Sequence, residues 1–153
     1  MAVAWAICSC TDIPIVSVSK SVDVRGWHSR DTLRMSLSPI AFSAGNSGAS
    51  PEAGDVNPVV GVRLTRSYAY RNLALRVEVI DTDTHATLLA DTVSYEAYDG
   101  HDAPQGRGFR MMELEAPLSR SFRFNPNASY LVKVSHVMRV NPVEGVVDVW
   151  VRF

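Results

Sequence analysis

The strongest signal along the chain is an alternation of apolar and polar residues with a period of two. Leu33, Met35 and Leu37 alternate with Thr32, Arg34 and Ser36, and Val60, Val62 and Leu64 alternate with Gly61, Arg63 and Thr65. Leu73, Leu75, Val77 and Val79 set Arg76 and Glu78 on the opposite side. Tyr130, Val132, Val134, His136 and Met138 share a side against Lys133, Ser135 and Arg139. Val147, Val149, Val151 and Phe153 do the same against Asp148, Trp150 and Arg152. Successive side chains of a strand point to opposite faces, so each run predicts a strand with one face in a core and the other in water. Weaker runs lie at 13–18, 87–98, 111–116 and 122–124. No window of helical length carries apolar residues at i, i+3, i+4 and i+7 between caps. The pattern predicts an all-β domain, an antiparallel β-sandwich of immunoglobulin-like or jelly-roll-like form with about seven to eight strands. The charges on the final strand are expected to guard an open sheet edge.

Two segments break the alternation. Ser43–Asn57, SAGNSGASPEAGDVN, is almost wholly small, polar or acidic, and such a stretch buries too little apolar surface to offset its ordering entropy. It is read as a flexible loop. Asp99–Gly108, DGHDAPQGRG, carries turn chemistry at each step. Gly106 and Gly108 do not make a phosphate loop, because no Lys-Ser/Thr pair and no helix pattern follows them.

Composition narrows the classes. The chain has 153 residues, 46% hydrophobic and 20% charged, which suits one globular domain with a real core. A net charge of −1 gives no electrostatic reason to expect nucleic acid as a partner. No apolar run approaches the ~20 residues needed to cross a bilayer as a helix.

The two cysteines, Cys8 and Cys10, both fall in the opening MAVAWAICSC. A disulfide between them would close a very small, strained loop. A metal site would draw on His28, His85, His101 and His136, none of which has ligand spacing. A lipoprotein signal is the third reading: Ile7-Cys8-Ser9-Cys10 puts a branched aliphatic residue, two tolerant positions and an acceptor thiol in order. A cysteine carrying two or more acyl chains is durably anchored. Signal peptides ordinarily have a basic start and ~15–30 residues, so residues 1–10 are read as a truncated signal segment, either with its true start upstream or a non-functional remnant, the other reading being an apolar N-terminal strand. Residues 11–26 are then a tether with a possible first strand, and 27–153 a single sandwich.

Catalytic candidates are weak. Asp99, His101 and Asp102 crowd one loop, and Asp81, Asp83 and His85 lie in IDTDTH, but turn-forming Asp explains both. No serine sits in a G-x-S-x-G elbow. The densest polar–aromatic cluster is RSYAYRNL, with Tyr68, Tyr70, Arg71 and Asn72, residue types that anchor protein interfaces. It is read either as a contact surface or as a strand end resting on the sandwich rim. Trp150 faces outward by parity, either under a crossing loop or as a contact of its own.

Taken together, Trp27-His28-Ser29-Arg30-Asp31-Thr32-Leu33, VVGVRLTRSYAYRNLALRVEV, the Gly106-Arg107-Gly108 loop and the closing SYLVKVSHVMRVNPVEGVVDVWVRF give the chain a family likeness. It resembles the gliding-motility lipoprotein GldH family of Bacteroidota over about Asp23 to Phe153. The resemblance implies a lipid-anchored cell-envelope protein, Cys10 being the acylated residue, with the outer membrane as the favoured location. It implies a non-enzymatic role beside gliding or secretion machinery, a membrane and envelope proteins as partners, and no cofactor, metal, nucleic acid or small-molecule substrate. The expected contacts are Tyr68, Tyr70, Arg71 and Asn72, joined by Met138 and Arg139 before the last hairpin. The alternative is an envelope carbohydrate-binding module, which requires Trp150 or the tyrosines in a flat, solvent-facing row.

Overall fold

The computed structural model describes residues 16–38 and 53–153. Those residues form ten strands and no helix: β1 (Ser17–Ser21), β2 (Leu33–Leu37), β3 (Gly54–Val56), β4 (Val59–Thr65), β5 (Asn72–Asp81), β6 (Thr87–Glu96), β7 (Met111–Pro117), β8 (Phe122–Phe124), β9 (Tyr130–His136) and β10 (Val146–Arg152). All pairings are antiparallel, and they nest. β1 pairs with β10, β2 with β9, β3 with β8, β4 with β7 and β5 with β6. The chain is thus one long hairpin, folded over so that β10 also joins β4 and β9 also joins β5. The first sheet runs β1-β10-β4-β7 and the second β2-β9-β5-β6, with β3-β8 as a separate ribbon. This strand order is that of a jelly roll, which decides between the two sandwich forms the sequence allowed.

Alternation builds the core. In β2 and β5 every second residue is buried, placing Leu33, Met35, Leu37, Leu73, Leu75, Val77 and Val79 between the sheets. Val60, Val62 and Leu64 of β4 and Met112 of β7 meet them from the first sheet with essentially no exposure. Each such side chain contributes roughly 1.5–3 kcal/mol by leaving water. Phe122, Phe124 and Tyr130 close one end, with Phe153 edge-on to Phe122 at 6.0 Å.

The structure departs from the sequence reading at four places. There are ten strands, because Gly54–Val56, inside the segment read as a flexible loop, pairs with β8. Residues 43–52 of that segment lie outside the described residues. In β10 the buried residue is Val146 and not Val147, since a bulge between Val146 and Asp148 shifts the parity. The final strand is not an edge: β1 covers it, so its charges protect nothing there. Finally, β9 ends at His136, so Met138 leaves the strand whose face it was expected to share.

Antiparallel nesting also sorts the connections. Residues 22–32, 66–71, 97–110 and 137–145 all join the two sheets at one end of the sandwich. Residues 82–86 and 118–129 turn at the other end, where Phe153 donates its backbone N–H to the Val16 carbonyl at 2.8 Å.

Candidate interaction surface

The 66–71 connection is held from within. Tyr68, one of the expected contacts, is buried, and its hydroxyl donates to the Asn72 carbonyl at 2.9 Å. Burial pushes its ionisation well above the ordinary tyrosine value. Gly145, at φ 85°, lies against it: a Cβ there would come within 2.9 Å of Thr65 Oγ1 and 3.3 Å of Tyr68 Cα. Tyr68 is therefore a packing residue, which corrects its assignment to the surface. Its ring is set edge-on to Tyr70 at 5.2 Å, fixing where Tyr70 stands.

The other expected contacts converge. Tyr70, Arg71 and Asn72 line one wall of an open groove of about 530 Å³, and Met138 and Arg139 line the other. They meet because β5 outlasts β9. Val137 donates its N–H to the Ala74 carbonyl at 3.0 Å, and the Met138 Sδ accepts the Ala74 N–H at 3.3 Å. Val137 and Val140 complete the lining with 49% and 40% exposure. The rim carries charge: Arg71 pairs with Asp102 at 3.1 Å, while Arg139 has no ion pair among the described residues.

The neighbouring 97–110 connection is ordered by its own backbone. Asp99 Oδ1 accepts the N–H groups of Ala103 and His101 at 2.9 and 2.8 Å, which hold its carboxyl below the usual carboxylate range. Asp81 does the same for Thr84 and Asp83 at the opposite end. These acids are turn formers, as their spacing suggested. Gly108, at φ 105°, reverses the chain, and Arg66 donates to the Gly108 and Phe109 carbonyls. Phe109 is left 93% exposed at the tip.

Sequence reasoning missed this apolar exposure. Six large apolar side chains are exposed among the described residues, and Val24, Phe109, Met111, Val137 and Val140 all stand at this one end; Leu88 alone does not. The signal in the sequence is an apolar residue inside a turn-rich stretch, outside any alternating run, of which Phe109 after Gly-Arg-Gly is the clearest.

Trp150 lies on the outer face of the first sheet, across Gly61. Its Nε1 donates to Glu115 Oε1 at 3.1 Å, and the Arg63 guanidinium sits 5.9 Å from its ring centre. Trp27, Tyr68, Tyr95 and Tyr130 are buried, which takes them out of any flat, solvent-facing row of the kind a sugar platform needs. No cluster of three or more metal-ligating side chains occurs among them. Cys10 and Cys8 lie outside the described residues.

The family described as GldH lipoprotein matches residues 15–152. The chain belongs to the GldH lipoprotein family. GldH lipoproteins are not a known enzyme family. No curated protein matches the chain. Among solved structures it is similar to a chain of Cocksfoot mottle virus, at 13% identity over 90% of this chain and 89% of that one, with a TM-score of 0.38. Dimeric latent PorU from Porphyromonas gingivalis is similar at 10% identity over 92% of this chain and 13% of that one, TM-score 0.36. Eiger TNF from S. frugiperda is similar at 11% identity over 91% and 92%, TM-score 0.27. In this GldH-family chain, Trp27–Asp31, the YAYRNL turn, the Gly106–Gly108 loop and the VMRVNPVEG segment all fall at the apolar-tipped end. They interlock there: Trp27 bridges to Val143, and the Ser29 N–H donates to Asn141 Oδ1 at 2.9 Å.

Proposed function

We propose that this lipoprotein is a non-catalytic interaction component of the envelope, anchored through Cys10 and binding protein partners end-on. The observation that carries the reading is the gathering of five exposed large apolar side chains at one end of the jelly roll, the end that holds the groove of Tyr70, Arg71, Asn72, Met138 and Arg139, which Val137 and Val140 also line. Exposed apolar surface of this kind marks contact sites, with aromatic and Arg anchors supplying most of the affinity.

Placement relative to the anchor supports it. Cys10 precedes Val16 by six positions, and six residues span at most about 20 Å. Val16 adjoins the opposite end of the sandwich, and the ten residues of β5 run about 30 Å between the two ends. An acyl chain on Cys10 thus holds the far end near the lipid and leaves the groove free to meet proteins. Gliding or secretion machinery is the proposed setting and the outer membrane the proposed location.

Site-specific photo-crosslinking in the native host tests the surface. A photoreactive residue at Val140 or Phe109 is expected to give discrete protein adducts that a Tyr70→Ala/Arg71→Ala background reduces, whereas one at Leu88 gives none. Equal labelling at Leu88, or adducts indifferent to the double substitution, would overturn the reading. Metabolic labelling with an alkyne fatty acid tests the anchor, with incorporation lost in Cys10→Ala.

A further inference from the structure

The outer face of the second sheet holds a separate feature, a groove of about 250 Å³ lined by Thr32, Arg34, Arg76, Glu78, Lys133 and Ser135. We infer that this groove binds a phosphate group, free or carried on a lipid headgroup. The inference is independent of the end-on surface.

Three cations face one carboxylate. Arg34 and Lys133 are direct cross-strand partners between β2 and β9, a like-charge placement that destabilises a sheet when nothing lies between the two. Glu78 stands opposite Lys133 on β5, yet its carboxylate is engaged by Arg76, with Nη2 at 2.9 Å and Nε at 3.0 Å. Neither Arg34 nor Lys133 has an ion pair among the described residues. The site therefore carries an uncompensated positive charge on both sides of a small depression.

The remaining lining groups are hydroxyls. The Thr32 and Ser135 hydroxyls can each donate a hydrogen bond, and together with a guanidinium and an ammonium they match the several acceptors of a tetrahedral oxyanion. The groove is polar and of a size for one such group, not for an extended chain. A phosphate between Arg34 and Lys133 turns their repulsion into two charge-assisted contacts.

Thermal unfolding of the lipidated protein in detergent, titrated with inorganic phosphate against sodium chloride at equal ionic strength, tests this. Phosphate is expected to raise Tm with the logarithm of its concentration above Kd, by about 3–5 °C at ten times Kd, and chloride is not. Arg34→Gln/Lys133→Gln should abolish the rise, and Glu78→Gln, which removes the opposing carboxylate, should lower Kd several-fold. An equal rise with chloride, or a rise that survives in the Arg34→Gln/Lys133→Gln protein, would overturn the site. Co-sedimentation of a Cys10→Ala form with phosphatidylglycerol vesicles, lost on the same double substitution, identifies the headgroup as the source. A phosphate response without vesicle binding identifies the free anion.

Discussion

The indole of Trp150 lies across Gly61 on the neighbouring strand, so close that a Cβ on Gly61 would sit 1.9 Å from the ring. The two are cross-strand partners, and the contact lets the indole reach Glu115 on the strand beyond. Gly61→Ala must therefore displace the ring, break that hydrogen bond and cost about 1–3 kcal/mol. In a Trp150→Ala background the same change meets no ring and is expected to be neutral or slightly stabilising, since Ala constrains the unfolded chain more than Gly does. Urea denaturation of the four proteins in a double-mutant cycle measures the coupling, and strict additivity would contradict the contact.

His136 gives the stability a pH dependence. It is buried edge-on to Trp27 at 5.3 Å, and neither ring nitrogen has a hydrogen-bond partner among the described residues. Burial holds its pKa below the ordinary histidine value; the Trp27 backbone offsets this only in part, without reaching hydrogen-bond geometry. Below about pH 6.5 the unfolded chain takes up a proton that the folded chain refuses, so stability falls as pH drops. The loss from this one group is at most about 1.4 kcal/mol per pH unit. His136→Phe is expected to flatten Tm between about pH 7 and 5. The lowered carboxyls of Asp81, Asp91 and Asp99 act in a separate window, below about pH 4, where their stabilising ionised form is lost.

How far the sequence could be read follows from what each element depends on. β2 and β5 were legible because their burial is set by parity alone. β10 was legible only from Val149 onward, because the bulge that buries Val146 is a property of its pairing with β4. β3 offers three residues with a single large apolar side chain, Val56, and becomes a strand only because β8 stands beside it. The groove was partly legible: the polar–aromatic cluster singled out Tyr70 and Arg71, and Met138 and Arg139 were expected contacts before the last hairpin, but nothing in their spacing shows that β9 stops short and brings the two segments together. Tyr68 and Tyr70 look alike in sequence, and only the Gly145 turn pressed against Tyr68 separates the buried ring from the half-exposed one.

That turn makes Gly145 the hinge point between two connections. Its carbonyl accepts the Thr65 N–H at 2.8 Å, and its φ of 85° suits glycine far better than any other residue. Gly145→Ala adds left-handed strain of about 1–2 kcal/mol, and its Cβ presses on Thr65 and Tyr68. The expected result is faster hydrogen exchange at the Thr65 and Tyr68 amides, with the amides of Val77 and Val132 still protected. Unchanged exchange at Thr65 would show that the turn tolerates a side chain.

Stability and recognition are separable at this end of the molecule, and the two tyrosines separate them. Tyr68→Phe removes a buried hydroxyl and leaves the Asn72 carbonyl short of its donor, at a cost of about 1 kcal/mol. It leaves the groove surface intact, so partner crosslinking from Phe109 should persist. Val137→Ser with Val140→Ser alters only exposed side chains, for which the change in stability is about 0.5 kcal/mol or less each. Crosslinking from Phe109 should nevertheless fall sharply, because the apolar lining that excludes water from the contact is gone. Chemical denaturation and crosslinking yield on the same two proteins check the pair. Crosslinking that tracks stability and not the groove residues would mean that the end acts only through its fold.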